Sequence, residues 1–269
     1  MEAPIYFAEE VDSVICETQR LIDTGSKPPF AVRANKMTEA QGRFGKKWHS
    51  ESKDNLHLAL ALPNTSYDSY RGFSVRSGIE VCKILNETIK EVNFQVKWPN
   101  DIYCNGKKVF GSQSHCNVEN NEATKIIVAV GLNVNTKQEA FPNKYKDIAT
   151  SLRIESNKKQ EIPLIAEKVV EGLLKAHAEN SSMQEDYDKL DYLKNKNILH
   201  PIEGISLGIN SIGRLQIESK EDKSIHTITT GDIILDSEKS LAEILDKTGC
   251  NFYINFGDIT SVSRHRSSI

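Results

Sequence analysis

Val96-Lys97-Trp98-Pro99-Asn100-Asp101, followed by Asn105-Gly106 and then Lys108-Val109-Phe110-Gly111, is the stretch whose reading decides the fold. An apolar strand runs into Trp98, Pro99 sets a rigid turn, and Asn100 and Asp101 present polar side chains where the backbone leaves the sheet. Pro-Asn-Asp is also ordinary turn chemistry, and about half of such tripeptides need no other explanation. The spacing argues for more. Asn-Gly is a two-residue hairpin signal that folds Lys108 back beside Asp101, and turn formation alone does not ask for Trp98, Asp101 and Lys108 together.

Working outward, the chain of 269 residues has room for one large domain and a small one, read as 1-194 and 195-269. A net charge of -3 with 26% charged residues gives no global field for nucleic acid or anionic membrane, so any basic function is local. Five scattered cysteines, Cys16, Cys82, Cys104, Cys116 and Cys250, lack a C-x-x-C pair and read as reduced thiols. No leader and no membrane span is evident, so a cytoplasmic protein is expected.

On the N-terminal side, residues 5 to 24 read as a short strand and then a helix with Val14, Thr18, Leu21 and Ile22 on one face, capped by Asp12 or Ser13. Phe30 to Ala34 reads as a buried strand. Thr38 to His49 has no period, two glycines (Gly42, Gly45) and the cations Arg43, Lys46 and Lys47 before Trp48. Such a loop can be a solvated basic surface, or it can wrap a phosphate with glycine backbone and charge-assisted hydrogen bonds. Leu56, Leu58, Leu60 and Leu62 share one face of the next strand, and Phe73 to Ile89 is an amphipathic helix covering the sheet.

On the C-terminal side, Ile126 to Val130 is a central strand by its β-branched density, ending at Gly131-Leu132-Asn133 where a ligand can come close. Residues 135 to 150 form a long loop of the kind that is more often functional than structural, and Pro163 to Ala176 is an amphipathic helix. From Ile198 short strands alternate with glycines, which predicts a small β-barrel. Thr230-Gly-Asp-Ile-Ile234 is echoed by Phe256-Gly-Asp-Ile-Thr260 around a helix-like 241 to 246; either copy can close the barrel, leaving an appendage after about 236.

Three of these segments, in this order, resemble the signature of the biotin protein ligase family, and the resemblance runs over about residues 5 to 235. Lys97-Trp98-Pro99-Asn100-Asp101 matches the family's most specific motif residue for residue, with Lys108-x-x-Gly111 at the family's distance. Ala40 to Trp48 is similar to its Gly-Arg-Gly-Arg-x-Gly-Arg-x-Trp loop, and Val130-Gly-Leu-Asn133 to its Gly-Ile-Asn strand end. The resemblance implies an α+β fold: a mixed central β-sheet with helices packed on it, class II synthetase-like, followed by a small SH3-like β-barrel. The DNA-binding module of repressor-type members is not expected, and no operator binding.

The implied activity has two steps. Biotin's carboxylate attacks the α-phosphorus of ATP to give biotinyl-5′-AMP and pyrophosphate, and a lysine of a biotin carboxyl carrier protein, an acetyl-CoA carboxylase subunit, then attacks the mixed anhydride. By match, Lys108, Arg43 and Asp101 are the catalytic residues, with Mg²⁺ assisting but no metal ligand assigned. Ser13, Trp48, Gly42, Lys108 and Gly111 would bind biotin; Arg43, Lys46, Trp48, Lys97, Asn100 and Asn133 would bind the nucleotide. A homodimer stays open. The sequence departs from the family at Ser13-Val14-Ile15 for Ser-Thr-Asn, at Ala40-Gln41 for the loop's first Gly-Arg, and at Ser112-Gln113-Ser114-His115 for apolar residues expected to line the biotin tail. Those departures keep two alternatives: a ligase for another small carboxylic acid such as lipoate, or a non-catalytic homologue that binds biotin or nucleotide.

Overall fold

The computed structural model describes residues 2–40, 53–178 and 183–238. Its first element is strand β1 (Ile5–Val11), followed by helix α1 (Val14–Asp23). Ser13 is the N-cap of that helix: its side chain accepts from the Ile15 N–H at 3.2 Å, while Asp12 accepts from the Ser13 N–H at 2.7 Å. Then come β2 (Phe30–Met37), β3 (Leu56–Leu62), the short β4 (Thr65–Ser66), α2 (Tyr67–Tyr70), α3 (Phe73–Thr88), β5 (Phe94–Lys97), β6 (Asp101–Cys104), β7 (Lys107–Glu119) and β8 (Glu122–Leu132). These strands form one sheet in the order β1-β2-β3-β8-β7-β6-β5, with β4 on β8. β1 and β2 run parallel and the other pairs antiparallel, so the sheet is mixed.

β3 shows why the sheet needs helices on both faces. Leu56, Leu58, Leu60 and Leu62 point to the main core, which α3 and α5 (Ile162–Ala178) complete. The intervening Ala59 and Ala61 point to the opposite face, where α1 packs with Val14, Ile15 and Ile22. Small residues on that face let the helix lie close. α4 (Leu152–Ser156) lies between β8 and α5, and α6 (Gln184–Leu190) leads to the second sheet. Its strands are β9 (Asn197–His200), β10 (Gly204–Ile209), β11 (Leu215–Ser219), β12 (Ile225–Ile228) and β13 (Ile234–Leu235), all antiparallel in the order β12-β11-β10-β9-β13.

The first Gly-Asp-Ile copy supplies the edge strand β13, since Ile234 pairs with His200; the second, at 256–260, lies outside the described residues. Cys250, the helix-like 241 to 246 and the basic loop from 41 to 52 lie outside them too. Among the described residues no helix is long and apolar enough to cross a membrane.

Candidate active site

The motif that opened the sequence reading is a hairpin tip rather than an exit from the sheet. β5 and β6 pair antiparallel with Lys97 opposite Asp101, so Asp101 already belongs to the returning strand. Most of the stretch is buried: Val96 is fully covered, and Trp98, Lys97 and Asn100 are 2%, 6% and 7% exposed. Pro99 and Asp101 keep moderate access, as does Lys108.

The Asn105-Gly106 turn forms as expected, both residues having positive φ (49° and 79°), and it returns the chain into β7. A bulge then sets the site. Ile102 pairs with Phe110 but Tyr103 pairs with Lys108, so Val109 is the extra residue on β7. Val109 and Phe110 both enter the core, breaking the alternation. Lys108 and Gly111, three apart, consequently share a face, and the Lys108 ammonium arches over Gly111 to Asp101 Oδ1 at 2.7 Å. A Cβ on Gly111 would stand 3.1 Å from Lys108 Nζ, Lys108 Cε and Asp101 Oδ1, so only glycine leaves the pair undisturbed.

Cross-strand register extends this face into a row. Lys97 pairs with Asp101, Asp101 with Gly111, Gly111 with Gly131, Gly131 with His57 and His57 with Ala34. Directly paired residues point to one side. This is also the side of α1, whose Val14 packs with Ala34, Ala59 and Ala129. The row therefore lies along one face of the sheet, with the first turn of α1 on one side, two cross-strand glycines in the middle and the Lys108–Asp101 pair at the other end.

Other expected site residues fall into place around it. Asn100 donates its side-chain amide to the Ser112 carbonyl, and Ser112 N–H donates back to the Asn100 carbonyl at 3.1 Å, so Asn100 ties the hairpin tip to β7. The Asn133 N–H donates to the Val109 carbonyl at 2.9 Å and its side-chain amide to the Thr150 carbonyl at 3.0 Å, which pins the 135–150 loop against the bulge. That loop backs the site: Lys108 N–H donates to Ile148 O and Thr150 N–H to Lys108 O, each at 2.9 Å. Ser13 stands at the α1 end. Gly42, Arg43, Lys46 and Trp48 lie outside the described residues.

One expectation needs correction. The 112–115 segment does not line the α1 side of the sheet as a whole. Ser112 pairs with Val130 and Ser114 with Val128, both core-facing, and the Ser114 hydroxyl lies 3.4 Å from that of Ser74 on α3. Only Gln113, paired with Ala129, and His115, paired with Ile127, face the α1 side. Strand alternation sends every second residue away, and here it does so to the two serines.

Lys97, expected at the nucleotide, stands at the end of β5. Its ammonium meets both Glu238 carboxylate oxygens at 2.8 Å and stands over the Tyr103 ring at 4.9 Å. Burial, with Asp101 and Glu238 adding to it, raises the Tyr103 phenol well above its ordinary range, so it stays protonated. Glu238 was not singled out from sequence. It lies 141 residues from Lys97, and no motif links them.

Residues 16–133 match the model of the biotin/lipoate A/B protein ligase family. The fold around the site is that of a biotin protein ligase catalytic domain. The biotin protein ligase from Aquifex aeolicus, solved in complex with biotin and ATP, superposes with a TM-score of 0.71 at 24% identity, over 86% of this chain and 98% of that one. The Leishmania major biotin protein ligase in complex with biotinyl-5-AMP gives 0.59 at 21% identity, over 86% of this chain and 100% of that one. The likeness to the biotin/lipoate A/B protein ligase family is carried by that matched segment. The bifunctional ligase/repressor BirA of Bacillus spizizenii is 31% identical over 151 residues, 54% of this chain and 46% of that protein. The chain thus spans about half the length of that relative.

Proposed function

We propose that this protein uses ATP to convert biotin to biotinyl-5′-AMP and transfers the biotinyl group to a lysine of a biotin carboxyl carrier protein. The observation that carries the reading is the Lys108–Asp101 pair at 2.7 Å beside the Gly111–Gly131 pair, inside the segment that matches the family. When one biotin carboxylate oxygen attacks the α-phosphorus, the bond to the bridging oxygen breaks and pyrophosphate leaves. Two anions meet in that step, and a fixed ammonium at the point of attack lowers its barrier. Lys108 is that ammonium. The two glycines let the acid lie against the backbone beside it.

In the second step the carrier lysine amine attacks the acyl carbon, AMP leaves with its phosphate, and the amine gives up a proton. Asp101 is the carboxylate placed to orient that amine. By their match to the family loop, Arg43 and Lys46 meet the phosphates, and Trp48 with Gly42 meets the acid. Asn133 and Asn100 serve by holding the walls on which Lys108 and Asp101 stand. Mg²⁺ fits as a cation carried on the triphosphate, where phosphate oxygens and water fill most of its positions. Among the described residues no group of three metal-ligating side chains exists, and Asp101 is the site carboxylate available to it. Bound there, the ion would neutralise phosphate charge.

Two features keep a second acid, such as lipoate, as the alternative. Val14 is 3% exposed within the α1 core and Gln113 faces the α1 side, so the walls differ from those the resemblance implies. The test is exchange of labelled pyrophosphate into ATP with biotin, lipoate or octanoate as the acid, followed by mass measurement of a carrier domain. Biotin-dependent exchange with a biotinyl mass shift is expected; exchange with lipoate alone would replace biotin as the substrate.

A further inference from the structure

We infer that the Lys97–Glu238 ion pair is a latch by which the C-terminal sheet positions Asp101 and Lys108, with Glu238 acting as a positioning residue; this rests on the function proposed above. Hydrogen-bond supply decides between latch and phosphate ligand. A lysine ammonium has three N–H donors. Two are taken by Glu238 Oε1 and Oε2 at 2.8 Å, and the third faces the Tyr103 hydroxyl at 3.5 Å. The Lys97 side chain is 8% exposed. Glu238 is fixed in turn, because its Oε2 accepts the Leu235 N–H at 3.1 Å, beside β13.

The neighbouring residues are held from the same direction. The Trp98 indole N–H donates to the Gly213 carbonyl at 2.9 Å, just before β11, and the Tyr192 N–H donates to the Val96 carbonyl at 2.9 Å. Lys97 and Trp98 are therefore bonded to the chain after residue 194, and Val96 to Tyr192 just before it. Lys97 is also the direct cross-strand partner of Asp101, which holds Lys108. A displacement of the second sheet thus reaches the reacting face through one residue pair. The first half of the motif is interface, and the second half is chemistry.

The experiment compares the full chain with Lys97→Met, Glu238→Gln and the double variant in biotin-dependent pyrophosphate exchange. Thermal unfolding and amide hydrogen exchange of residues 98–104 are followed on the same samples. Each single variant is expected to lower kcat about tenfold with the KM for ATP moved less than threefold. The double variant should be no worse than either single. Hydrogen exchange across 98–104 should quicken in both singles, and Lys97→Glu with Glu238→Lys should recover part of kcat.

A tenfold rise in the KM for ATP in Lys97→Met, with Glu238→Gln unaffected, would make Lys97 a nucleotide ligand and overturn the latch. So would a lowered melting temperature with unchanged kcat per folded molecule. If the unaltered chain shows no exchange with any acid, the proposed activity fails by itself. The hydrogen-exchange comparison then still decides the latch, and unchanged protection at 98–104 overturns it.

Discussion

Replacing Asp191 with Asn should stabilise the protein at neutral pH and lose that advantage at pH 4. Asp191 lies where the chain leaves α6 and bridges to Val96, directly behind the active-site hairpin. It is 5% exposed, and its Oδ1 accepts the Leu193 N–H at 2.7 Å. Burial pushes its carboxyl from the ordinary 3.8 up to about 6, against the opposing pull of the Leu193 N–H and the Tyr187 hydroxyl. The folded state therefore binds the proton more tightly than the unfolded chain. The contribution of Asp191 to stability is greatest below pH 4, falls as pH rises towards 6, and stays reduced above it.

At about 1.4 kcal/mol per tenfold, keeping Asp191 ionised when folded costs about 3 kcal/mol at pH 7.5. Asparagine keeps the acceptor for Leu193 but adds an N–H₂ group to be satisfied, so a gain of about 1 to 3 kcal/mol is expected there. Urea unfolding of both proteins at pH 4, 6 and 7.5 measures it, the difference between variants cancelling all other titrations. Equal unfolding free-energy differences at the three pH values would refute the reasoning, since the effect would not come from ionisation.

Gly204→Ala should loosen the second sheet, because its Cβ would stand 2.1 Å from the Glu218 carbonyl oxygen, a backbone atom unable to step aside. A loss of about 3 kcal/mol is expected in urea unfolding, and a loss under 1 kcal/mol would contradict the register of β10 on β11. Gly111→Ala meets only the mobile end of Lys108 and the Asp101 carboxylate. Its melting temperature should stay within a few degrees while pyrophosphate exchange falls tenfold or more; unimpaired exchange would show that the glycine is dispensable.

The fold was legible where local chemistry carries it. The Asn105-Gly106 turn, the leucine stripe of β3 and the Ser13 cap each have a short-range cause that one sequence displays. The Lys108–Asp101 pair was legible as an approach, though not its mechanism: the adjacent apolar Val109 and Phe110 announce a bulge only once β6 is known to pair with them. Facing was the weaker inference. Ser112 and Ser114 lie on the core side of β7 because that register is fixed by β8, a partner the segment itself does not reveal. Long-range contacts were not legible at all. The Trp98 indole N–H on the Gly213 carbonyl and the Lys97 ammonium on Glu238 join residues 115 and 141 apart, and no local pattern announces either.

The central claim is that Lys108 meets the charge developing at phosphorus, and biotin-dependent pyrophosphate exchange by Lys108→Ala, alongside its biotin affinity, tests it most directly. Removing one fixed cation from the point of attack should lower the exchange rate by about 10² or more while biotin binding stays within a few fold. Exchange near the unaltered rate, or loss of biotin binding in step with the rate, would contradict it.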